Sequence, residues 1–190
     1  MSTSRNALEW GGTARVPSLT VRRVLGVAAF AAATAVGARF ALPLPGTPVP
    51  FTLQPLVVLL AGAVLGARLG AASQLLYLAA GIAGLPVFAA GGGLAYLLGP
   101  TGGYLMAYPA AAFLAGALGR GGGARALPGL LAALSAIYAG GLLWLSAVGT
   151  VDTAVALGLR PFLLADLVKV LMVGLLMSRL RDGALRLFGS

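Results

Sequence analysis

The sequence predicts an all-α integral membrane protein: six transmembrane helices, both termini cytoplasmic, and outer loops capping a ligand pocket. Three observations predict it. The 190-residue chain is 59% apolar and only 9% charged, against about 25% charged residues in an ordinary soluble domain. Its apolar residues fall into six runs, each close to the roughly 17–25 residues that a membrane-crossing helix needs. Its arginines gather on alternate connections between those runs, the asymmetry expected when basic loops stay inside.

Residues 1–18 are polar and include Trp10, Gly11, Gly12 and Pro17. No apolar core followed by a small-residue cleavage site occurs there, so the stretch reads as a cytoplasmic tail and not as a signal peptide. Residues 19–190 form the membrane domain. Its runs are 24–42, 51–67, 69–85, 102–118, 127–148 and 161–178. The second and third are separated only by Arg68, which implies a tight hairpin. With the N-terminus inside, the cytoplasmic segments hold Arg5, Arg15, Arg22, Arg23, Arg68, Arg120, Arg125, Arg179, Arg181 and Arg186, and the external side only Arg39 and Arg160. That placement accounts for the net charge of +9 without invoking nucleic acid. Arginine is far commoner than lysine, and Ala and Gly abound, as in a GC-rich bacterial genome. The expected location is the bacterial cytoplasmic membrane.

The external connections differ from the short basic inner ones. "PLPGTPVPF" (43–51) and "PVFAAGGGLAYLLGPTG" (86–102) are uncharged and apolar. Prolines hold the first to extended or turn geometry, and the glycine run of the second permits unusual backbone angles. Loops of that composition are expected to fold over the outer end of the bundle as a lid.

Several chemistries are excluded. The chain has no His and no Cys, which removes the usual zinc, copper and haem ligand sets. "GRGGGA" (119–124) resembles a dinucleotide fingerprint, but no strand precedes it and no acidic residue follows at the required distance. There is no Walker A sequence, so nucleotide hydrolysis must belong to another polypeptide. A hydrolase would need an activated nucleophile, and the available base, Lys169, has no serine in its motif. No enzymatic activity is expected.

Small residues mark packing. Gly62, Gly66 and Gly70 in "GAVLGARLG" recur every four residues, the spacing that lets helices approach closely. "GVAAFAAATAVGA" (26–38) gives the first span a smooth surface, with Ala28/Ala32 and Ala31/Ala35 at the same spacing. It suits internal packing or docking of another membrane subunit. Gln54, Ser73, Gln74, Tyr77, Tyr104 and Tyr138 are polar groups in or near spans. Most such groups are helix–helix partners, but Gln54 and Tyr104 flank the outer loops and are candidate ligand contacts. Arg39, near the outer end of its span, either snorkels to the interface or meets an anionic ligand group.

The last run, "LRPFLLADLVKVLMVGLLMSRL", holds a carboxylate and an amine in an aliphatic setting. Asp166 and Lys169 are three residues apart and therefore share a helix face. Each costs roughly 2.5–3.5 kcal/mol at the centre of a span, and a pair needed only for packing is often replaceable by apolar residues at little loss. Entering at Pro161, they lie about 7 Å and 12 Å deep at 1.5 Å per residue, in the outer half beneath the apolar loops. A paired acceptor and donor there fits a site for a small polar-headed molecule. A structural salt bridge and a proton relay in a proton-coupled carrier are the alternatives.

"VPFTLQ", "GLPVFA", "GPTGGY" and the final "RPFLLADLVKV" occur in this order, and together they closely resemble the BioY family, the biotin-specific substrate-binding (S) components of energy-coupling factor (ECF) transporters. The resemblance covers about 24–180. Leu164-Ala165-Asp166 stands where family members often read Pro-Gly-Asp, with the spacing to Lys169 preserved. The resemblance implies a membrane-embedded biotin-binding subunit that mediates biotin uptake, with a pocket opening outward. It further implies a transmembrane coupling subunit docked on the Ala-rich first span, and two cytoplasmic ATPases that alone use ATP; the chain itself would carry no cofactor. Asp166 would accept from the ureido N–H groups, and Lys169 would meet the ureido oxygen or the valerate carboxylate. Phe51, Phe88, Tyr96 and Tyr104 would pack on the ring and chain, near Gln54. Another vitamin within the same transporter class is the second reading.

Overall fold

The computed structural model describes residues 18–119 and 123–188. Of the expected polar tail, residues 1–17 lie outside the described residues, as do 120–122 of the "GRGGGA" loop. Among the described residues there is no strand; eight helices carry the chain. Ser18 caps α1 (Leu19–Arg39), its hydroxyl accepting from Val21 N–H at 3.4 Å, the usual role of a serine at that position. α2 (Gln54–Leu65) opens with Pro55 in its first turn, where the missing N–H is no loss. Gly66 alone separates α2 from α3 (Ala67–Ile82), with φ of 81°, a region open to glycine but not to bulkier residues. The expected hairpin therefore turns at Gly66, two residues before Arg68, which lies in the first turn of α3.

The next connection contains a one-turn helix, α4 (Leu94–Leu97), before α5 (Gly102–Leu118). A 3₁₀ turn (Gly123–Ala126) leads into α6 (Leu127–Val148). α7 (Val151–Gly158) follows, and α8 (Leu163–Phe188) completes the chain after a bend of 56°. α5 and α6 match the expected bounds. α4 and α7 were not expected, because each is shorter than a span. α7 is held by a capping box in which Thr150 and Thr153 each accept the other's backbone N–H, a local signal outweighed by the surrounding apolar runs.

By length and composition, α1 and the continuous 3₁₀–α6 segment can each cross a membrane, and the bent α7–α8 pair makes a third. α2 has 12 residues and is about 18 Å long, well short of the hydrocarbon thickness of about 30 Å. The missing outer part is supplied by the loop before it. Residues 40–53 fold inward, pinned by paired hydrogen bonds between Leu42 and Phe51 (2.8 and 2.9 Å), and Val49 and Thr52 are buried. The second run was therefore expected to begin as a helix three residues too early: Phe51 pairs with Leu42, Thr52 follows outside any helix, and Leu53 is the N-cap at which helical geometry begins.

α5 is central, packed on α2, α3 and α6. Gly62 and Gly70 make this possible. A Cβ on Gly62 would lie 2.1 Å from the Ala112 carbonyl oxygen, and one on Gly70 would lie 2.7 Å from the Gly62 Cα. The four-residue glycine spacing thus serves packing within the chain. The bundle is apolar outside: Leu143, Leu164 and Leu175 are 71%, 78% and 69% exposed, whereas Asp166 and Lys169 are 6% and 4% exposed. Continuous exposed leucine around buried charge is the arrangement a lipid solvent favours.

The outer connections are tied across one end of the bundle. Arg39 at the end of α1 donates to the Pro86 carbonyl, Thr47 Oγ1 to the Leu157 carbonyl at 2.7 Å, and the Trp144 indole to the Gly99 carbonyl at 2.9 Å. At the opposite end, Arg23 Nε donates to the Phe188 carbonyl at 3.3 Å, so the start of α1 and the end of α8 meet there.

Candidate functional site

The site begins with the first turns of α8. The bend after α7 leaves Asp166 one turn inside the helix, its N–H bonded to the Phe162 carbonyl at 2.9 Å. Lys169 follows on the same face, and its Nζ donates to Asp166 Oδ1 at 2.6 Å. A second Nζ–H donates to the Thr52 carbonyl at 2.7 Å. That carbonyl is available because Thr52 precedes the N-cap Leu53 and so lies outside the helical hydrogen-bond ladder of α2. The ammonium also lies 4.0 Å from the Phe51 ring centroid, within range of a cation–π attraction. Asp166 Oδ2 accepts from the Tyr138 hydroxyl of α6 at 2.6 Å. Short bonds to charged groups are about twice as strong as neutral ones, and they offset the desolvation of a buried pair. Three elements therefore converge on one ion pair: α8, α6 and the Phe51-Thr52 segment before α2.

Above the pair is a cavity with about 50 Å³ of free space, lined by Phe51, Gln54, Tyr96, Tyr104, Tyr138 and Asp166 among others. An outer vestibule of about 410 Å³ adjoins it, and the two share Val49, Pro50, Tyr96 and Thr101 as walls. The inner space has room for only a few waters, so a larger solute requires the loop walls to move outward.

The expected contact residues are brought together unequally. Phe51, Gln54, Tyr96, Tyr104, Asp166 and Lys169 all line the inner cavity. Gln54 Nε2 donates to the Tyr77 hydroxyl at 2.6 Å, and Tyr77 donates to the Val87 carbonyl at 3.3 Å, linking the cavity to the second loop. Tyr104 donates to the Gly158 carbonyl at 2.8 Å, so its ring is fixed against α7. Phe88 is absent from the lining. It is fully buried behind Tyr96, whose ring stacks on it at 5.1 Å, and it fills the notch left by Gly81. Its role is to support the wall.

The alanines of the first span divide between two faces. Ala28 and Ala32 are exposed, whereas Ala31 is buried and Ala35 packs partly buried against the core. One available face therefore holds two of the four. Arg39, bound to Pro86, is exposed and lines neither cavity. Gln74 is a helix–helix partner, its Nε2 donating to Thr34 Oγ1 of α1 (3.2 Å), whereas Ser73 bonds within α3, accepting from Gln74 Nε2 (3.1 Å) and donating to the Gly70 carbonyl (2.7 Å).

Sequence reasoning missed Tyr138 as part of the site, together with Tyr108, Ile137 and Phe162 in the lining. Tyr138 stands out as a hydroxyl in an apolar run, but the same signal marks Tyr77. The Thr52 carbonyl carries no sequence signal. Among the described residues no group of three or more acidic, His or Cys side chains is placed to hold a metal ion.

Fold and cavity together define a helical membrane protein whose outer loops cover a cavity lined by a buried Asp–Lys pair. Residues 10–186 match the family model described as the BioY family. The chain is 46% identical over 156 residues to the probable biotin transporter BioY of Pyrococcus horikoshii, covering 82% of this chain and 93% of the relative. It is 38% identical over 165 residues to the biotin transporter BioY of Thermotoga maritima, covering 85% and 96%. Its fold is similar to the crystal structure of the S-component for biotin from an ECF-type ABC transporter. That match has a TM-score of 0.80 and 27% identity, covering 89% of this chain and 95% of the other. The chain belongs to the BioY family.

Proposed function

We infer that the chain is the biotin-binding S component of an ECF transporter and mediates biotin uptake. It is a transporter subunit and not an enzyme. The observation that carries the reading is the ion pair of Asp166 and Lys169, buried under two apolar loops and open to a cavity. Asp166 keeps lone pairs for ureido N–H donors beyond those used by Lys169 and Tyr138, and the ammonium can meet the ureido carbonyl. Phe51, Tyr96 and Tyr104 supply apolar faces for the fused rings. Binding energy comes from adding ligand contacts to a charge pair already held in place, in a dry site.

Six crossings with both termini cytoplasmic fit the arginine distribution and the meeting of the α1 start with the α8 end. In a bacterial cytoplasmic membrane this arrangement presents the cavity outward. Energy would come from two cytoplasmic ATPases acting through a transmembrane coupling subunit, with the Ala28/Ala32 face of α1 as its docking surface. The chain itself would need no cofactor. Isothermal titration of the purified protein with biotin should show tight binding of about one molecule per chain, as a single polar pair predicts. Saturating biotin that gives neither heat nor a shift in melting temperature would sink the reading.

A further inference from the structure

We infer that the outer vestibule takes the tail of the ligand without a charge contact, so that this chain accepts uncharged, amide-extended derivatives of biotin; the inference rests on biotin as the ligand. The inner cavity contains one carboxylate and one ammonium, Asp166 and Lys169. The ammonium already donates to Asp166 and to the Thr52 carbonyl. A valerate carboxylate placed there would set two carboxylates against one ammonium, and like charges sharing a site repel strongly. The ureido head carries no net charge and offers donors to Asp166 and an acceptor to Lys169. It therefore occupies the inner cavity, and the valerate points to the vestibule.

No charged side chain lines the vestibule among the described residues. Its floor is the shared ring of Val49, Pro50, Tyr96 and Thr101, and its rim includes the exposed Pro48, Ala90, Ala95 and Pro100. Thr47 is also there, but its hydroxyl already donates to the Leu157 carbonyl and accepts from Val49 N–H. A carboxylate reaching this space stays near water and meets no cation. Replacing it by an amide removes no ion pair, and about 410 Å³ leaves room for a longer tail. Selectivity is thus concentrated on the head of the molecule.

The test is titration of the purified full chain with three ligands: biotin, biotin amide, and the amide of biotin with the lysine side-chain amine. Both amides should bind within about thirtyfold of biotin. A larger loss for either overturns the proposal. Biotin binding without the amides overturns this proposal alone, whereas binding of none of the three overturns the biotin reading and this proposal with it. Ala90→Trp, which narrows the vestibule, should weaken the lysine conjugate about tenfold more than it weakens biotin. Equal losses for the two ligands would also count against it, and Ala95→Phe asks the same question should the tryptophan variant not fold.

Discussion

Each group in the site is tied to a partner that decides what its removal does. Asp166→Asn keeps the shape but exchanges a charged acceptor for an amide, leaving Lys169 with the Thr52 carbonyl and the Phe51 ring. Loss of a charge-assisted hydrogen bond is worth about 1.5–3 kcal/mol, so biotin affinity should fall roughly ten- to a hundredfold or more. Tyr138→Phe leaves the carboxylate charged and frees its Oδ2 lone pairs, so its effect on affinity should be smaller, about tenfold or less. Titration of both variants, alongside their melting temperatures, separates a binding role from a strut: a strut loses thermal stability with affinity unchanged. Asp166 and Lys169 were legible in the sequence because charge in an aliphatic run is conspicuous. Tyr138 was not, since a tyrosine in a span is ordinary, and the Thr52 carbonyl belongs to every residue alike. Only the backbone path reveals that it is unpaired by a helix.

Among the elements, α1 separates two roles that its sequence presents as one surface. Ala28 faces outward and Ala31 faces the core. Ala28→Trp should leave folding and biotin binding nearly intact while reducing co-purification with the coupling subunit. Ala31→Trp overpacks the interface and should destabilise the chain by about 1–3 kcal/mol or more. Pull-down on the coupling subunit and thermal melts of both variants distinguish the two faces; equal loss of stability would mean that Ala28 also packs internally. The long helices were readable from apolar length, and α5 and α6 most accurately because glycine and proline punctuate their ends. α4 and α7 were hidden because they are short and lie among apolar loops, where length, the main signal for a span, is silent. The inward path of residues 51–52 was hidden for a related reason: an apolar loop and the end of an apolar helix have the same composition.

For the whole molecule, the proposed outward opening of the cavity rests on the orientation that the arginine distribution predicts. The absence of cysteine from the sequence makes orientation directly measurable. Leu98 is 65% exposed beside the second outer loop, and Ala124 is exposed at the opposite end. A membrane-impermeant thiol reagent should label Leu98→Cys in intact cells and Ala124→Cys only after permeabilisation. The reverse pattern would place the cavity on the cytoplasmic side.

The single-residue turn at Gly66 has a consequence for how the chain is made. α2 and α3 have 12 and 16 residues, and insertion of a lone helix ordinarily needs about 20 apolar ones. Neither half is long enough to leave the translocation machinery by itself. Joined by one glycine, they emerge as a pair that can bury polar backbone and Gln74 against each other and α1 before meeting lipid. Biogenesis of this region is therefore expected to proceed by the hairpin as a unit: a soluble carrier fused to residues 51–65 alone should remain extractable by alkali, where the same carrier fused to residues 51–85 is retained in the bilayer.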